Sequence, residues 1–319
     1  MSRVVVTGRI PEAALESLRT EHEVDDWQGP GSIDREELLR RVAGADAIVS
    51  LLTEKIDAEL LDAAGPQLRV VANVAVGYDN IDVAACAERG VIATNTPGVL
   101  TDATADIALS LILMSTRRLG EGERIIRSGQ EWKWGMFFLL GSSLQGKTLG
   151  IVGMGGIGRA TARRAKAFGM EIVYQSRSEI DPEIAAELGA RRVDLDELLS
   201  VSDVVSLHCP YGPATHHLIG AEQLEAMKAS AHLVNTARGP VVDEAALASA
   251  LRAGTIAGAG LDVFEHEPQV HPDLLELENV TLVPHLGSAT VETRTAMAVL
   301  AADNALAVLG GQEPPSPIG

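Results

Sequence analysis

The stretch from Leu149 to Arg177 constrains the fold of this chain more than any other. A short apolar run, Leu149 to Val152, leads into glycines at 153, 155 and 158, and a segment rich in alanine, arginine and lysine follows. This pattern predicts a strand, a tight turn and a helix. A second apolar run, Ile172 to Gln175, comes after that helix and completes a strand–helix–strand unit. In such a context a glycine-rich turn is typical of a dinucleotide site.

Each of these glycines has its own task in a dinucleotide-binding unit. Gly153 permits the sharp turn, Gly155 lets the backbone approach a pyrophosphate, and Gly158 lets the helix pack closely on the strand. The phosphates lie at the helix N-terminus, where unpaired N–H groups and the helix dipole attract anions. The alternative is a glycine-rich turn in an α/β domain that binds nothing.

The part of the chain before the glycine motif alternates between apolar runs and helical patterns. The 319 residues exceed one ordinary core and suggest about two domains. Strands are predicted at 3–7, 46–52, 68–74 and 91–95, with helices that begin near Pro11, Asp34, Asp57 and Asn80. This alternation predicts a parallel sheet covered by helices, in a unit that ends near Pro97 and Gly98.

The part after the motif repeats the same alternation. Strands are predicted at 204–208, 232–236, 259–263 and 280–283, and helices at 194–200, 221–227 and 243–253. A last helix is expected over about 290–309, followed by a proline-rich tail, 310–319, that is expected to be an irregular surface end.

Two features occupy the segment between the predicted sheets. Apolar residues at helical spacing from Ala105 to Ile126 predict one long helix that links two domains, with Thr101 or Asp102 as its N-cap. The following residues, 131–144, hold two of the three tryptophans and two of the four phenylalanines. Such a cluster indicates an interface or a pocket wall rather than an exposed loop.

Charge and composition exclude several classes of function. A formal net charge of −18 repels nucleic acids and anionic membranes, and no apolar run approaches the length of a membrane span. Cys86 and Cys209 are too few for a disulfide framework, and neither cysteines nor histidines show metal-ligand spacing. We expect a cytoplasmic protein with no metal, nucleic-acid or membrane partner. An anionic ligand requires arginines that reverse the charge locally.

Six stretches, in collinear order over nearly the whole chain, resemble the D-isomer-specific 2-hydroxyacid dehydrogenase family, and within it the glyoxylate and hydroxypyruvate reductases. They are NVAVGYDNIDV at 73–83, GMGGIGRATARRAKAFGM at 153–170, SDVVSLHCPYGPATHHLI at 202–219, LVNTARGPVVDEAAL at 233–247, GLDVFEHEP at 260–268 and VPHLGSAT at 283–290. The resemblance implies an α/β protein of two flavodoxin-like or Rossmann-like doubly wound parallel-sheet domains with a cleft between them. It also implies a discontinuous substrate domain, 1–98 plus 289–319, and a dinucleotide-binding domain, 99–288.

The activity that the resemblance implies is NAD(P)H-dependent reduction of a small 2-keto acid, glyoxylate or hydroxypyruvate, to the D-2-hydroxy acid by hydride transfer. The catalytic residues carried over by motif are Arg238, Glu267 and His285. Arginine pairs its planar fork with a carboxylate, histidine is the usual proton donor near neutral pH, and a glutamate beside it orients the ring and favours its protonated form. Taken singly, each has a structural alternative: a surface ion pair for Arg238, a loop carboxylate for Glu267 and a strand-end histidine for His285.

Binding residues follow from the same resemblance. Substrate contacts are implied for Leu52, Val76, Gly77, Trp134 and Arg238, with backbone N–H groups at 76 and 77 facing the substrate carboxylate and Trp134 reaching across a dimer. Plain packing is the alternative for Leu52 and Trp134. Cofactor contacts are implied for Thr104, Gly153, Gly155, Gly156, Ile157, Gly158, Ser176, Arg177, His208, Pro210, Thr215, Thr236, Ala237, Arg238, Asp262, His285 and Ser288. Among these, Asp262 is expected to accept a hydrogen bond from the nicotinamide carboxamide.

The residues after the second strand of the unit predict which cofactor is preferred. NAD-selective sites carry an acid there that binds the ribose hydroxyls, whereas this chain reads Tyr174, Gln175, Ser176 and Arg177, with no acid before Glu179. We therefore expect NADP(H) to be preferred, with NAD(H) possible.

The quaternary state and the rival functions remain open on the residues alone. A homodimer is expected through the helix over 102–127 and the aromatic loop, 132–140. The alternatives to a reductase are a non-enzymatic NAD(H)-sensing scaffold of the corepressor type, or a formate, phosphonate or phosphoglycerate dehydrogenase on the same fold.

Overall fold

The computed structural model describes residues 1–318, which form two compact units. The first unit is Met1–Leu100 together with the chain from Ser288 onward, and the second is Thr101–Gly287. The observed breaks lie two residues after the expected one at 98 and one residue before the expected one at 288.

The first unit is built on a five-stranded parallel sheet. Its elements in this part of the chain are β1 (Arg3–Val6), α1 (Glu12–Glu21), β2 (Glu23–Asp26), α2 (Arg35–Val42), β3 (Ala47–Ser50), α3 (Ala58–Ala64), β4 (Val70–Asn73), α4 (Val83–Glu88) and β5 (Ile92–Thr94). The strand order is β2-β1-β3-β4-β5, the flavodoxin-like arrangement. Alternate strand residues enter two cores on opposite faces, as Val5 and Ile48 enter one and Val4 and Val49 the other. Both faces are therefore covered, as expected for parallel strands.

The second unit is built on a seven-stranded parallel sheet. Its elements are α5 (Thr101–Thr116), α6 (Leu119–Arg127), β6 (Thr148–Val152), α7 (Gly156–Ala167), β7 (Glu171–Gln175), α8 (Pro182–Leu188), β8 (Arg191–Arg192), α9 (Leu195–Val201), β9 (Val204–Leu207), α10 (Ala221–Ala226), β10 (His232–Asn235), a 3₁₀ turn (Gly239–Val241), α11 (Glu244–Ala253), β11 (Gly258–Leu261), α12 (Pro272–Leu275) and β12 (Val280–Leu282). The strand order is β12-β11-β10-β9-β6-β7-β8. From the central β6–β9 pair, strands that come later in the chain are added outward on both sides, as in the Rossmann fold. The predicted fold class, two doubly wound parallel α/β sheets, is confirmed.

The final helix, α13 (Val291–Leu309), belongs to the first unit. Its buried alanines, among them Ala298, Ala301 and Ala305, share a core with Leu15 of α1 and Val6 of β1. Small side chains at this spacing let the helix lie close to the sheet. None of the helices described over residues 1–318 is long and apolar enough to cross a membrane.

The prediction of one long helix from Ala105 to Ile126 is wrong, because the segment forms two helices. Arg118 adopts a left-handed backbone conformation, with φ 53°, between α5 and α6. Leu111 and Ile112 of α5 are fully buried, whereas α6 buries no residue. Apolar spacing continues across the break because α6 keeps an exposed apolar face, so periodicity alone could not locate the turn. Thr101, predicted as an N-cap, is the first residue of α5.

The predicted irregular surface tail, 310–319, is confirmed for most of its described part, because residues 310–313, 315 and 317 are exposed and lie outside any helix or strand, but the tail is fixed at Ser316. Ser316 is buried, and its Oγ donates a hydrogen bond of 2.6 Å to the carbonyl oxygen of Asn95. Asn304 of α13 accepts from the Ser316 N–H at 3.0 Å, and Pro317 forms an antiparallel bridge with Thr94 of β5. Proline is tolerated at a sheet edge, where the missing N–H faces outward. Gly319 lies outside the described residues.

Sequence reasoning missed four short elements, β2, β8, α8 and α12. The β2 sequence is Glu-Val-Asp-Asp and β8 is two arginines. Both are edge strands, which carry charge rather than apolar runs because one side has no neighbouring strand. Apolar patterning therefore gave no signal for them.

Candidate active site

The glycine-rich turn after β6 lies at the point where the strand order reverses. Gly153 has φ +95°, and a Cβ at that position would lie 2.5 Å from the Cys209 backbone nitrogen. A Cβ on Gly158 would lie 2.3 Å from the Gly153 carbonyl oxygen. Packing within the protein therefore demands glycine at both positions. Gly155 differs, because a Cβ there would meet no atom within 4 Å, so space is open beside the α7 N-terminus where a pyrophosphate binds in such folds.

Two arginines near this turn have guanidinium groups with no hydrogen-bond or ion-pair partner among the described residues. Among the described residues, the side chains of Arg159 and Arg177 take part in no hydrogen bond or ion pair. Arg159 lies at the start of α7, and Arg177 is exposed just beyond the end of β7. Unpaired cations at the carboxyl edge of a sheet, in a chain of net charge −18, fit the phosphates of a dinucleotide. Sequence reasoning singled out Arg177 but missed Arg159, although Arg159 directly follows the glycine motif.

His285 and Glu267 form a close pair. His285 Nδ1 lies 2.7 Å from Glu267 Oε2, and Glu267 Oε1 accepts a 3.0 Å hydrogen bond from the Phe264 N–H. Burial alone would raise the pKa of the Glu267 carboxyl, but the hydrogen bond and charge of His285 outweigh it, and that pKa is lowered. Within residues 1–318, His285 Nε2 has no partner. The ring therefore presents Nε2 to a ligand while Glu267 holds Nδ1.

Asp262 holds the backbone that carries His285. The residue is 1% exposed, and its carboxylate oxygens accept hydrogen bonds from the N–H groups of Leu286 and, at 2.8 Å, Gly287. The His285 N–H donates to the Asp262 carbonyl oxygen at 2.8 Å. His285 has φ +52°, a conformation that non-glycine residues adopt only when their surroundings impose it. These bonds impose it here. The expected contact of Asp262 with a nicotinamide carboxamide stays a prediction.

Arg238 follows β10 and lies on a loop packed against the Glu267 segment. A Cβ on the next residue, Gly239, would lie 1.9 Å from the Phe264 carbonyl carbon, so the two loops are in direct backbone contact. Asn235 Nδ2 donates to the Arg238 carbonyl oxygen at 2.9 Å and fixes this turn. The positive charge of Arg238 also contributes to the lowered pKa of Glu267. All three predicted catalytic side chains therefore lie in the second unit, where the charges of both His285 and Arg238 act on the Glu267 carboxylate.

His208 lies at the carboxyl end of β9, and its ring is buried beside two hydroxyl groups. Its backbone N–H donates to the Val152 carbonyl oxygen at 2.8 Å, which places it beside the glycine turn. Ser206 Oγ lies 2.8 Å from its Nε2, and Thr236 Oγ1 lies 3.4 Å from its Nδ1. Burial lowers the pKa of His208 to about 4, so it is neutral near pH 7 and is not the proton donor.

Several other predicted residues shape loops at the same sheet edge. Thr215 Oγ1 donates to the Pro210 carbonyl oxygen at 2.9 Å and closes the loop after β9. Thr104 Oγ1 of α5 donates to the Gly287 carbonyl oxygen at 3.2 Å, next to the His285 turn. The predicted site residues that belong to the first unit are Leu52, Val76, Gly77 and Ser288. Their roles, like the cofactor contacts of Gly156, Ile157 and Ala237, stay predictions.

The aromatic segment is exposed in this single chain, and its expected role as an interface or a pocket wall stays a prediction. Trp134 is 80% and Phe137 86% exposed. Trp132 stacks on Phe138 with ring centroids 5.8 Å apart.

Neither cysteine is placed for chemistry. Cys86 and Cys209 are free and buried, and burial raises the pKa of each thiol to about 11. Both remain uncharged thiols at neutral pH, and free thiols fit the cytoplasmic location, which stays a prediction. Over residues 1–318, no group of three or more histidine, cysteine or acidic side chains is arranged to hold a metal ion.

Comparisons with known proteins show similarity in sequence and in fold. The sequence model described as D-isomer specific 2-hydroxyacid dehydrogenase, NAD binding domain, matches residues 109–287. A glyoxylate reductase from Thermococcus onnurineus is 52% identical over 319 residues, which span 98% of this chain and 95% of the relative. The crystal structure of a glyoxylate reductase from Paecilomyes thermophila has a TM-score of 0.90 at 38% identity, covering 99% of this chain and 98% of that one. An NADPH-dependent glyoxylate/hydroxypyruvate reductase from Sinorhizobium meliloti, in complex with NADP and malonate, has a TM-score of 0.87 at 38% identity and covers 100% and 97%.

Proposed function

We propose, since this chain belongs to the D-isomer-specific 2-hydroxyacid dehydrogenase family, that it reduces a short 2-keto acid, glyoxylate or hydroxypyruvate, to the D-2-hydroxy acid with NAD(P)H. The observation that carries the proposal is the His285–Glu267 pair, 2.7 Å apart, with Nε2 unpartnered and the Arg238 loop packed against the Glu267 segment. Its test is NAD(P)H oxidation followed by absorbance with glyoxylate, hydroxypyruvate and phenylpyruvate. A strong preference for phenylpyruvate, or turnover of formate or phosphite alone, contradicts it.

The proposed mechanism assigns one task to each of three side chains. The Arg238 guanidinium binds the substrate carboxylate through paired hydrogen bonds, which also fixes the direction of the carbonyl. His285 donates the proton on Nε2 to the carbonyl oxygen as negative charge develops there. Glu267 holds the ring through Nδ1 and stabilises its positive charge before transfer. The reduced nicotinamide supplies the hydride when bound.

The pH profile of reduction tests the role of Glu267. Because the pKa of Glu267 is lowered, its carboxylate stays charged down to mildly acidic pH. Reduction needs the protonated form of His285, so its rate should fall toward high pH. Glu267→Gln removes the charge that favours the imidazolium, so the fall in rate should begin at lower pH. Oxidation of the hydroxy acid needs neutral His285 and should suffer less at high pH.

The measurement is the rate of glyoxylate reduction at saturating cofactor over pH 5 to about 9, for wild type and Glu267→Gln. Glu265→Gln, two residues away and paired with His217 at 3.0 Å, is the matched control. A uniform rate loss with an unchanged profile would show that Glu267 only positions the ring.

We further propose that NADP(H) is preferred over NAD(H). Support comes from the exposed, unpartnered Arg177 guanidinium and from the absence of an acid between β7 and Glu179. Arg177→Ala should raise the KM for NADPH about tenfold and leave the KM for NADH nearly unchanged, since only NADPH carries a 2′-phosphate. Arg163→Ala is the control, because Arg163 lies on the α7 surface and pairs with Glu187 at 2.7 Å. Equal effects of Arg177→Ala on both cofactors would refute the preference.

We also propose a homodimer through α6 and the aromatic loop, 132–140. The support is an unusually apolar exposed surface that includes Leu119, Ile126, Trp134, Met136 and Phe137. Surfaces of this kind are typical of subunit interfaces. Light scattering at micromolar concentration should give twice the mass of one chain, and Phe137→Glu with Met136→Glu should shift the species to monomer. A monomeric wild type would overturn this proposal.

A further inference from the structure

The loop after β7 is held by a residue from the edge of the sheet. Arg192, in β8, pairs in register with Tyr174 of β7. Its Nη2 donates hydrogen bonds to two loop carbonyl oxygens, that of Ser176 at 2.9 Å and that of Arg177 at 3.1 Å. Its Nη1 lies 3.4 Å from Glu179 Oε1. One guanidinium group therefore binds two backbone carbonyl oxygens and one carboxylate of the loop 176–179, which carries Ser176 and Arg177.

We propose that Arg192 is a positioning residue that determines selectivity for the 2′-phosphate of NADP(H). The inference rests on the proposed NADP(H) preference and adds a residue to it that lies outside the strand–turn–helix–strand unit. Arg192 acts through two contacts: it fixes the backbone of the loop that carries Arg177, and it pairs with the first acid after β7.

The charges around the loop show why both contacts matter. A 2′-phosphate carries between one and two negative charges at neutral pH. Without Arg192, the positive charge of Arg177 is offset by Glu179, and two backbone carbonyl oxygens lose their donor. With Arg192 present, Glu179 is paired, and the three side chains of Arg177, Glu179 and Arg192 together have a net positive charge. NAD(H) lacks the 2′-phosphate and gains nothing from this net positive charge, so loss of Arg192 should weaken the binding of NADP(H) selectively.

The neighbouring residue provides a matched control. Arg191 lies in the same two-residue strand, and its Nη1 pairs with Glu197 Oε1 of α9 at 2.6 Å. Among the described residues, its side chain forms no hydrogen bond or ion pair with residues 176–179. Arg191→Ala therefore removes the same charge from the same strand without touching the loop.

The experiment is calorimetric titration of the purified protein with NADP⁺ and with NAD⁺, which needs no turnover. Arg192→Ala should raise the Kd for NADP⁺ about fivefold and the Kd for NAD⁺ less than about twofold, the size expected for a partly exposed charged contact. Arg192→Lys keeps the charge but has one nitrogen in place of the two that contact the carbonyl oxygens and Glu179, so it should restore part of the affinity that Arg192→Ala loses. Glu179→Gln should restore part of it in the Arg192→Ala background, because the unpaired acid is gone.

Four outcomes would overturn the inference. Equal weakening of NADP⁺ and NAD⁺ binding by Arg192→Ala, or an effect no larger than that of Arg191→Ala, overturns it. If Arg177→Ala alone is selective, this inference fails while the proposed NADP(H) preference stands. If wild type binds NAD⁺ as tightly as NADP⁺, the cofactor preference and this inference both fall, whereas glyoxylate reduction is judged separately by the absorbance assay.

Discussion

His285→Ala should lower the rate of glyoxylate reduction by about 10²–10⁴-fold at every pH, which is the range for loss of a general acid. The reverse oxidation should fall by a similar factor, because the same ring takes up the proton in that direction. The expectation follows from the unpartnered Nε2 and from the 2.7 Å contact between Nδ1 and Glu267. Stopped-flow absorbance of NADPH in single turnovers measures the chemical step directly and separates it from product release.

A second histidine, near His285's partner Glu267, provides a control for the general effect of removing an imidazole side chain. His266 is exposed and precedes Glu267, and His266→Ala should leave the rate within about twofold, as is usual for surface substitutions. Circular dichroism should show that His285→Ala remains folded, because Asp262 bonds the backbone of the 285–287 turn rather than the ring. A folded His285→Ala that retains more than about a tenth of the wild-type rate would exclude this residue as the proton donor.

Arg238→Ala should lower kcat/KM for glyoxylate by about 10²–10³-fold, as expected when one partner of a close, hydrogen-bonded charge pair is removed. Arg238→Lys should recover only part of the loss, since lysine is a point charge and cannot form the bidentate pair. Arg252→Ala serves as the control, because Arg252 forms a surface ion pair with Asp273 at 3.4 Å.

The ethyl ester of glyoxylate separates carboxylate recognition from other defects of the Arg238 variant. The ester lacks the negative charge, so wild type should reduce it poorly and Arg238→Ala should reduce it nearly as well as wild type does. An equal loss on the acid and the ester would mean that Arg238 does not bind the carboxylate. It would leave the residue a role in shaping the loop that Gly239 packs against Phe264.

The sequence by itself determined the two parallel sheets and the edge at which functional residues gather. Alternation of apolar runs and helical patterns is a local property, so it survives without knowledge of the fold. Because parallel strands all end at one edge, residues that directly follow β6, β9, β10 and β11 had to meet there. The demand on Gly158 is likewise local, since it arises from the Gly153 carbonyl oxygen in the same turn, whereas Gly153 must also leave room for the backbone of Cys209, which is distant along the chain.

Only the tertiary structure decided the features that depend on distant partners. The break at Arg118 arises because the sheet buries α5 but not α6. The anchoring of the tail at Ser316 depends on Asn95 and Asn304, which lie 221 and 12 residues before it along the chain. The hydrogen bonds from Arg192 to the loop after β7 also depend on the folded sheet, because they form only when β8 pairs with β7. Edge strands and exposed arginines carry no apolar periodicity, because one side of each faces solvent, so their partners emerge only when the chain is folded.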